Sequence, residues 1–303
     1  MARSGRSDRF RAAEAAWWAH HGLEPVERMA GPVRVQVVGD GPPVVFVHGA
    51  SNSGVSWAPL VAGLRDHWCF VVDRPGCGLS PARRDGRPFP EFADRLLVDV
   101  LDGLDLPSAS IVSTSFGGYF ALRAAAAHPA RIERIVELGF CFGGPMPHVP
   151  LDMRLTAVPG LGQLVARVPV NERVVRSMFR RIGLRQAIDA GKVHPLMVTT
   201  FTALLNDTDT MRNELDLPHL LRPIAGVNPD VLLPDELLAS IAAPVTFLWG
   251  TGDPLGDADA ARAFAARVPG SSLELFDGFG HAPWIDDPAR LAERVRAAMS
   301  TGV

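Results

Sequence analysis

The chain has almost no lysine: among its 30 Lys and Arg residues Lys192 is the single lysine, and alanine is heavily used, a compositional bias that carries no functional message. Cysteine is scarce as well. Cys69, Cys77 and Cys141 are scattered without CxxC spacing and cannot all pair, which excludes a disulfide framework and suits a reducing compartment. Charge of one sign is not in excess: a net charge of -3, with 21% charged and 47% hydrophobic residues, describes an ordinary globular chain with no demand for a polyanionic partner such as nucleic acid. The longest apolar runs, such as "PPVVFVHGA", are strand-length and turn-bounded, far short of the roughly 18 residues of a membrane span. The opening "MARSGRSDRFRAAEAAWWAHHG" mixes Arg, Asp and Glu and leaves no room for a secretory apolar segment, so a cytoplasmic protein is expected. Metal-ligand spacing is missing too. His20 and His21 are adjacent and point apart on a helix, and His128, His148, His194 and His219 form no H-E-x-x-H pattern, so neither metal nor cofactor is expected.

A length of 303 residues suits one α/β domain with an insertion. Residues 7–21 read as an amphipathic helix opening at Ser7 and Asp8, with Phe10, Ala13, Trp17 and Trp18 packing on the main domain. "VRVQVV" (33–38), the turn "GDGPP" and "VVFVH" (44–48) carry a hairpin signal. Further strand-like runs follow at 68–73, 109–113, 134–140, 244–250 and 272–277, continuous and apolar as in strands buried on both faces. Helical segments at about 56–65, 90–104, 117–128, 257–268 and 287–299 alternate with them. That alternation predicts an α/β fold, a mostly parallel central sheet with helices on both faces. It breaks between Phe140 and Pro244, where no strand signal occurs. The expected organisation is therefore an N-terminal helical extension (1–30), a core (31–140 and 241–303) and an inserted helical cap (141–240). In the cap, residues 171–183 set Val174, Val175, Met178, Phe179 and Ile182 against Arg173, Arg176 and Arg180.

The chemistry is carried by "SIVSTSFGG". A serine hydroxyl is a weak nucleophile that needs a base and a cradle for the oxyanion formed by its attack. A strand turning sharply into a helix demands small residues two before and two after the nucleophile, and Ser113 and Gly117 satisfy this only if Ser115 is the apex. The backbone N–H of Phe116 then faces the oxyanion. Asp253 follows the strand "VTFLWG" and His281 the strand "SLELFD", so Ser, Asp and His each stand at the carboxyl end of a strand and share one sheet edge. His281 would take the proton of Ser115, and Asp253 would hold the imidazole. In "HGASNSG", Gly49 permits close approach and the N–H of Ala50 is the second oxyanion donor. Glu137 is a reserve acid.

With "VHGASN", "DRPGCGLS", "STSFGG", "GTGDP" and "FGHAPWIDDP" in this order, the chain resembles the α/β-hydrolase fold superfamily over residues 33–300, in its capped, esterase-like serine hydrolase branch. The resemblance implies hydrolysis of a small, apolar ester, thioester or lactone. It also leaves open C–C bond hydrolysis, cofactor-free haloperoxidase or perhydrolase chemistry on the same triad, and a non-hydrolytic ligand-binding, lyase or cyclase member. The superfamily's dehalogenases and epoxide hydrolases use an aspartate nucleophile, where this chain has Ser115, and epoxide opening also uses cap tyrosines, whereas Tyr119 is the one tyrosine here. An apolar pocket between cap and sheet edge is expected to draw on Trp57, Phe140, Phe142, Met178 and Trp284, with Phe116, Met153, Phe179 and Phe201 as further candidates.

Other patterns read more plainly. "RPGCGLS" lacks the third glycine of a nucleotide fingerprint, and Asp73 and Arg74 brace its loop. "NDTDT" caps helices rather than binding calcium. Arg173, Arg176, Arg180, Arg181 and Arg185 form a solvated face.

Overall fold

The structure is a computed structural model that describes residues 4–84, 86–144, 151–156, 158, 160–214, 221–222 and 226–300. Eight strands form one sheet: β1 (Val26–Ala30), β2 (Val33–Val38), β3 (Pro43–Val47), β4 (Trp68–Val72), β5 (Ala109–Ser115), β6 (Ile132–Cys141), β9 (Val245–Gly250) and β10 (Ser272–Phe276). Two short strands, β7 (Leu221–Arg222) and β8 (Gly226–Val227), pair apart from it. The sheet order is β1-β2-β4-β3-β5-β6-β9-β10, antiparallel at β1, β2 and β4 and parallel from β4 onward. The central strands β3 and β4 are apolar because both faces of the sheet are covered there. Val45, Val47 and Ile111 join one core, while the alternating Val44, Phe46 and Val112 join the other.

The helices are α1 (Ser4–His20), α2 (Ala58–Val61), α3 (Phe89–Gly103), α4 (Phe116–Ala127), α5 (Leu151–Thr156), α6 (Leu161–Val165), α7 (Glu172–Arg181), α8 (Arg185–Asp189), α9 (Pro195–Asp207), α10 (Thr210–Glu214), α11 (Asp235–Ala239), α12 (Ala258–Ala265), α13 (Pro283–Asp286) and α14 (Pro288–Ser300). Leu96 of α3, Phe120 of α4 and Phe264 of α12 pack on one face of the sheet; Trp18 of α1, Leu60 of α2 and Val295 of α14 pack on the other. Between β6 and β9 the described elements are helices and the short antiparallel pair β7–β8, which stands where the sequence carries no strand signal.

Two expectations need correction. The hairpin between 33–38 and 44–48 does not form. β2 pairs instead with β1 and β4, while β3 lies between β4 and β5. A parallel sheet satisfies β3 on both sides, and the short turn that sequence proximity suggests is displaced by the longer-range pairing. Residues 26–30, assigned to a helical extension, are a strand of the sheet. Four of their five residues are exposed, so the apolar pattern that marks a strand is absent. The α1 helix does pack on the main domain, and it begins earlier than expected, at Ser4.

A buried ionic knot ties α1 to the sheet. Arg34 on β2 donates Nη1 to Glu14 Oε1 at 3.0 Å and Nη2 to Glu14 Oε2 at 2.7 Å, and also donates to Asp73 Oδ2 at 2.9 Å and Glu27 Oε2 at 2.7 Å. Glu14, Arg34 and Asp73 are all buried. Glu137, fully buried on β6, is a second polar intrusion. It shares a short hydrogen bond with Ser113 on β5, its direct register partner, and lies against α4 where Gly118 leaves room. Burial pushes its carboxyl well above the usual range, only partly offset by the bonds from Ser113, the Ser115 amide and Cys141.

Removing one side of a buried ion pair strands the other, so Arg34→Met is expected to lower the unfolding free energy by about 3–5 kcal/mol in urea titrations. A loss below about 1 kcal/mol would show that the knot does not hold α1. Glu137 keeps its proton in the fold at a pH where an unfolded carboxyl, near about 4.3, has lost it. The folded chain then binds more protons, and this group makes stability fall as pH rises above that value. Glu137→Gln is expected to flatten the decline between roughly pH 5 and 8. Equal slopes for the two proteins would mean the buried group is already ionised.

Candidate active site

Strands β3 and β4 run to one side of the sheet and β5 onward to the other, so the loops after β3 and β5 flank the point where strand order reverses. Crevices of parallel sheets open there, at the carboxyl edge. The loop after β3 carries Ala50, the end of β5 carries Ser115, and the loops after β9 and β10 carry Asp253 and His281.

Ser115 is the last residue of β5 and the residue before α4, with φ 56° and ψ −116°. Positive φ is costly for a residue with a Cβ, so the surroundings hold it there. They do so by closeness. A Cβ at Gly117 would stand 2.1 Å from the Val47 carbonyl oxygen, and one at Gly118 would stand 2.4 Å from the Glu137 carboxyl. Ser115 makes no side-chain cap to α4, which leaves its hydroxyl unspent on the helix. The Phe116 N–H is one of the first amides of α4, a position without an intrahelical acceptor. Ser113 is buried and its hydroxyl binds Glu137 across the sheet.

Asp253 has no exposed side-chain surface. Its Oδ2 accepts from His281 Nδ1 at 2.7 Å and from Phe140 N–H at 2.8 Å, and its Oδ1 accepts from Leu255 N–H at 2.9 Å. A carboxylate so oriented accepts from Nδ1–H, keeps the proton on Nδ1 and leaves Nε2 as the basic nitrogen of the ring. The end of β6 lies between this pair and Ser115. Cys141 pairs with Ser115, whose carbonyl accepts from Phe142 N–H at 3.0 Å, while a Cβ at Gly139 would stand 2.5 Å from the His281 carbonyl oxygen. The His281 N–H donates to the Ile182 carbonyl at 2.9 Å, and the Gly280 N–H donates to Asp286 Oδ2 at 2.9 Å. Burial pushes Asp286 up to about 6, against the pull of that amide and Lys192. Glu137, the reserve acid, binds Ser113 and not His281.

The loop after β3 touches the serine: a Cβ at Gly49 would stand 3.0 Å from Ser115 Cβ. Ala50 is exposed beside it. Arg74 donates from its backbone N–H to His48 Nε2 at 3.0 Å, so His48 carries its proton on Nδ1, 2.8 Å from the Gly49 carbonyl oxygen. Arg74 also donates Nε to the His48 carbonyl at 3.0 Å and Nη2 to the Gly49 carbonyl at 2.8 Å. Asp73 braces its own loop through Leu79 N–H and reaches Gly54 N–H, whereas Arg74 braces the neighbouring loop. The roles of His48, Ile182 and Asp286 left no sequence signal, since each acts through a contact between distant segments.

The expected pocket residues divide. Trp57 has no accessible surface and so borders no cavity; it stacks on Trp284 at 4.3 Å, and Trp284 binds the Ser56 carbonyl. Both indoles belong to the core beneath the edge. Phe140 packs edge-on to Trp249 and is likewise nearly sealed, at 3% exposed. Phe142 meets Phe116 at 5.1 Å, and Met178 on α7 is half-buried, so both keep some surface. The Met153 side chain, His148 and His219 lie outside the described residues. A cleft of about 610 Å³, lined by Arg180, Arg181 and Arg185 with Gly252, Pro254 and Gly278, lies against the loops that carry Asp253 and His281 but includes none of Ser115, Asp253 and His281.

Comparison with known proteins agrees with this geometry at the level of fold and family. Residues 44–294 match the Alpha/beta hydrolase family. The chain is 26% identical to a 2-hydroxy-6-oxononadienedioate/2-hydroxy-6-oxononatrienedioate hydrolase of Cupriavidus pinatubonensis, over 80% of this chain and 81% of that one. It is 28% identical to a pimeloyl-[acyl-carrier protein] methyl ester esterase of Xanthomonas campestris pv. campestris, over 86% of this chain and 96% of that one. The crystal structure of carboxylesterase CesB from Bacillus subtilis superposes with a TM-score of 0.78 at 21% identity, covering 99% of this chain and all of that one. Since the match runs from β3 into α14, the chain belongs to the alpha/beta hydrolase family.

Proposed function

We propose that the protein is a serine hydrolase that forms an acyl-enzyme from a small, largely apolar ester, thioester or lactone. Ser115 attacks the carbonyl carbon, and His281 takes its proton through Nε2 and delivers it to the leaving group. Asp253 holds Nδ1–H and stabilises the imidazolium. The amides of Ala50 and Phe116 receive the oxyanion. Water then repeats the sequence on the acyl-enzyme. The observation that carries this reading is the 2.7 Å bond between Asp253 and His281, set across the end of β6 from a positive-φ serine that caps nothing.

The helices between β6 and β9 serve as the cap, and Phe116, Phe142 and Met178 supply the apolar contacts. Three buried, unpaired cysteines are in keeping with a reducing, cytoplasmic setting, and no described helix is long and apolar enough to cross a membrane. The likeness to the 2-hydroxy-6-oxononadienedioate hydrolase favours a second reading, C–C bond hydrolysis on the same residues. A dianionic substrate of that kind needs cations at its ends. Beside Phe116, the Arg74 guanidinium is already paired with Glu214, so the ester reading is preferred.

Ser115→Ala is expected to abolish labelling by a fluorophosphonate probe and to lower p-nitrophenyl butyrate turnover by at least on the order of 10⁴-fold. Unchanged labelling with the probe mapped to another residue would sink the proposal. Across a series of p-nitrophenyl esters, kcat/KM should peak at short acyl chains. A maximum at palmitate would remove the small-substrate part.

A further inference from the structure

The Gly49–Ala50 peptide is held through its carbonyl. Its carbonyl oxygen accepts from Arg74 Nη2 and from His48 Nδ1, both at 2.8 Å. A trans peptide is planar, with N–H opposite to C=O, so anchoring the Gly49 carbonyl toward Arg74 turns the Ala50 N–H the other way. One residue on, Ser51 has φ 51°, a strained conformation that its neighbours must enforce. Its N–H donates at 3.0 Å to Oε2 of Glu214. The other oxygen of Glu214 accepts from Arg74 Nη2 and from Cys77 Sγ, both at 3.1 Å. The Arg74 and Glu214 side chains are 3% and 6% exposed, too little for water to replace either partner. The Arg74 guanidinium also stands 4.9 Å from the Phe116 ring, so one ion pair touches the segments that carry both candidate oxyanion donors.

Glu214 comes from α10, in the stretch between β6 and β9, and not from the sheet. That helix is fastened to the loop after β4 at two further points: Gly78 N–H donates to Thr210 Oγ1 at 2.9 Å, and Asn213 Nδ2 donates to the Gly76 carbonyl at 2.7 Å.

We propose that Glu214 is a positioning residue for the oxyanion hole: by accepting from Ser51 N–H and Arg74 it keeps the Ala50 N–H turned toward Ser115, and it makes that orientation depend on the docking of α10. The inference rests on reading Ser115 as the nucleophile and Ala50 as an oxyanion donor. Without Glu214, the Ser51 amide loses its acceptor and the Arg74 guanidinium its counter-charge, so the peptide is left to His48 Nδ1 and a less firmly fixed Arg74. Substrate binding is untouched, because the lost interaction serves charge that develops only in the transition state.

The test compares wild type, Glu214→Ala, Glu214→Gln and Ser115→Ala with p-nitrophenyl butyrate as substrate and butylboronic acid as a tetrahedral, anionic adduct-former. Removing an oxyanion donor costs roughly 10²–10³ in kcat, and a donor left present but unanchored should cost less, so Glu214→Ala should lose about 10–100-fold in kcat with KM changed less than about threefold. Butylboronic acid should inhibit it more weakly by about the same factor as kcat falls. Glu214→Gln keeps an oxygen for Ser51 N–H and should recover part of the loss, retaining about a tenth to a third of wild-type kcat. If Glu214→Ala does not fold, Glu214→Gln alone decides: wild-type kcat and boronate affinity overturn the proposal, and a parallel fall in both sustains it. A Glu214→Ala enzyme within about twofold of wild type in kcat, or one altered only in KM, also overturns it. Should Ser115→Ala be inactive while Glu214→Ala matches wild type, only the role of Glu214 falls. Should Ser115→Ala retain wild-type turnover, the hydrolase reading falls, and the role of Glu214 with it.

Discussion

The edge of the sheet is organised around the contact between the start of α4 and the end of β3. Gly117 lies so near the Val47 carbonyl that a single methyl group would collide with it at 2.1 Å. That approach allows β5 to pass into α4 with only Ser115 between extended and helical backbone, and it explains why Ser115 sits at φ 56°. The same closeness brings Gly49 against Ser115 and leaves the first amides of α4 open at the sheet edge. Strain in one residue is thus tolerated because neighbouring strands on both sides over-determine its position.

Polar groups buried around this turn have distinct tasks. Glu137 supports Ser113 beneath the elbow, Asp253 orients His281 and is itself oriented by Phe140 and Leu255, and Arg34 links α1 to the sheet. Each is a costly group to bury; Arg34 and Asp253 have partners on every side, whereas Glu137 binds through Oε2 and its buried Oε1 has no hydrogen-bond partner among the described residues. Two contacts reach the site from the stretch between β6 and β9: the Ile182 carbonyl binds the His281 amide, and Glu214 binds the Ser51 amide. The base and the oxyanion loop both lean on helices that are not part of the sheet.

Much of this was legible in the chain. Mostly apolar runs alternating with amphipathic ones marked β3, β4, β5, β6, β9 and β10 and the helices between them, because burial on both faces leaves few polar positions in the inner strands of a parallel sheet. Ser115, Asp253 and His281 could be named from their places after strands, and Asp253 does bind His281. β1 was not legible, since its side chains are mostly exposed, nor was the pairing of β2, which lies between β1 and β4 rather than beside β3, the strand that follows it in the chain. Trp57 and Trp284 looked like pocket aromatics and proved to be stacked core, a distinction that depends on what lies behind a ring rather than on the ring itself.

Local periodicity, turn requirements and the reactivity of side chains set most of the order of strands and helices and the residue types able to carry chemistry. Which carboxylate meets the imidazole, what the Ser113 hydroxyl binds, and how Arg74 and Glu214 reach the loop beside Ser115 were settled by the fold. Those outcomes depend on distances between segments far apart in the chain, which periodicity does not encode and packing does.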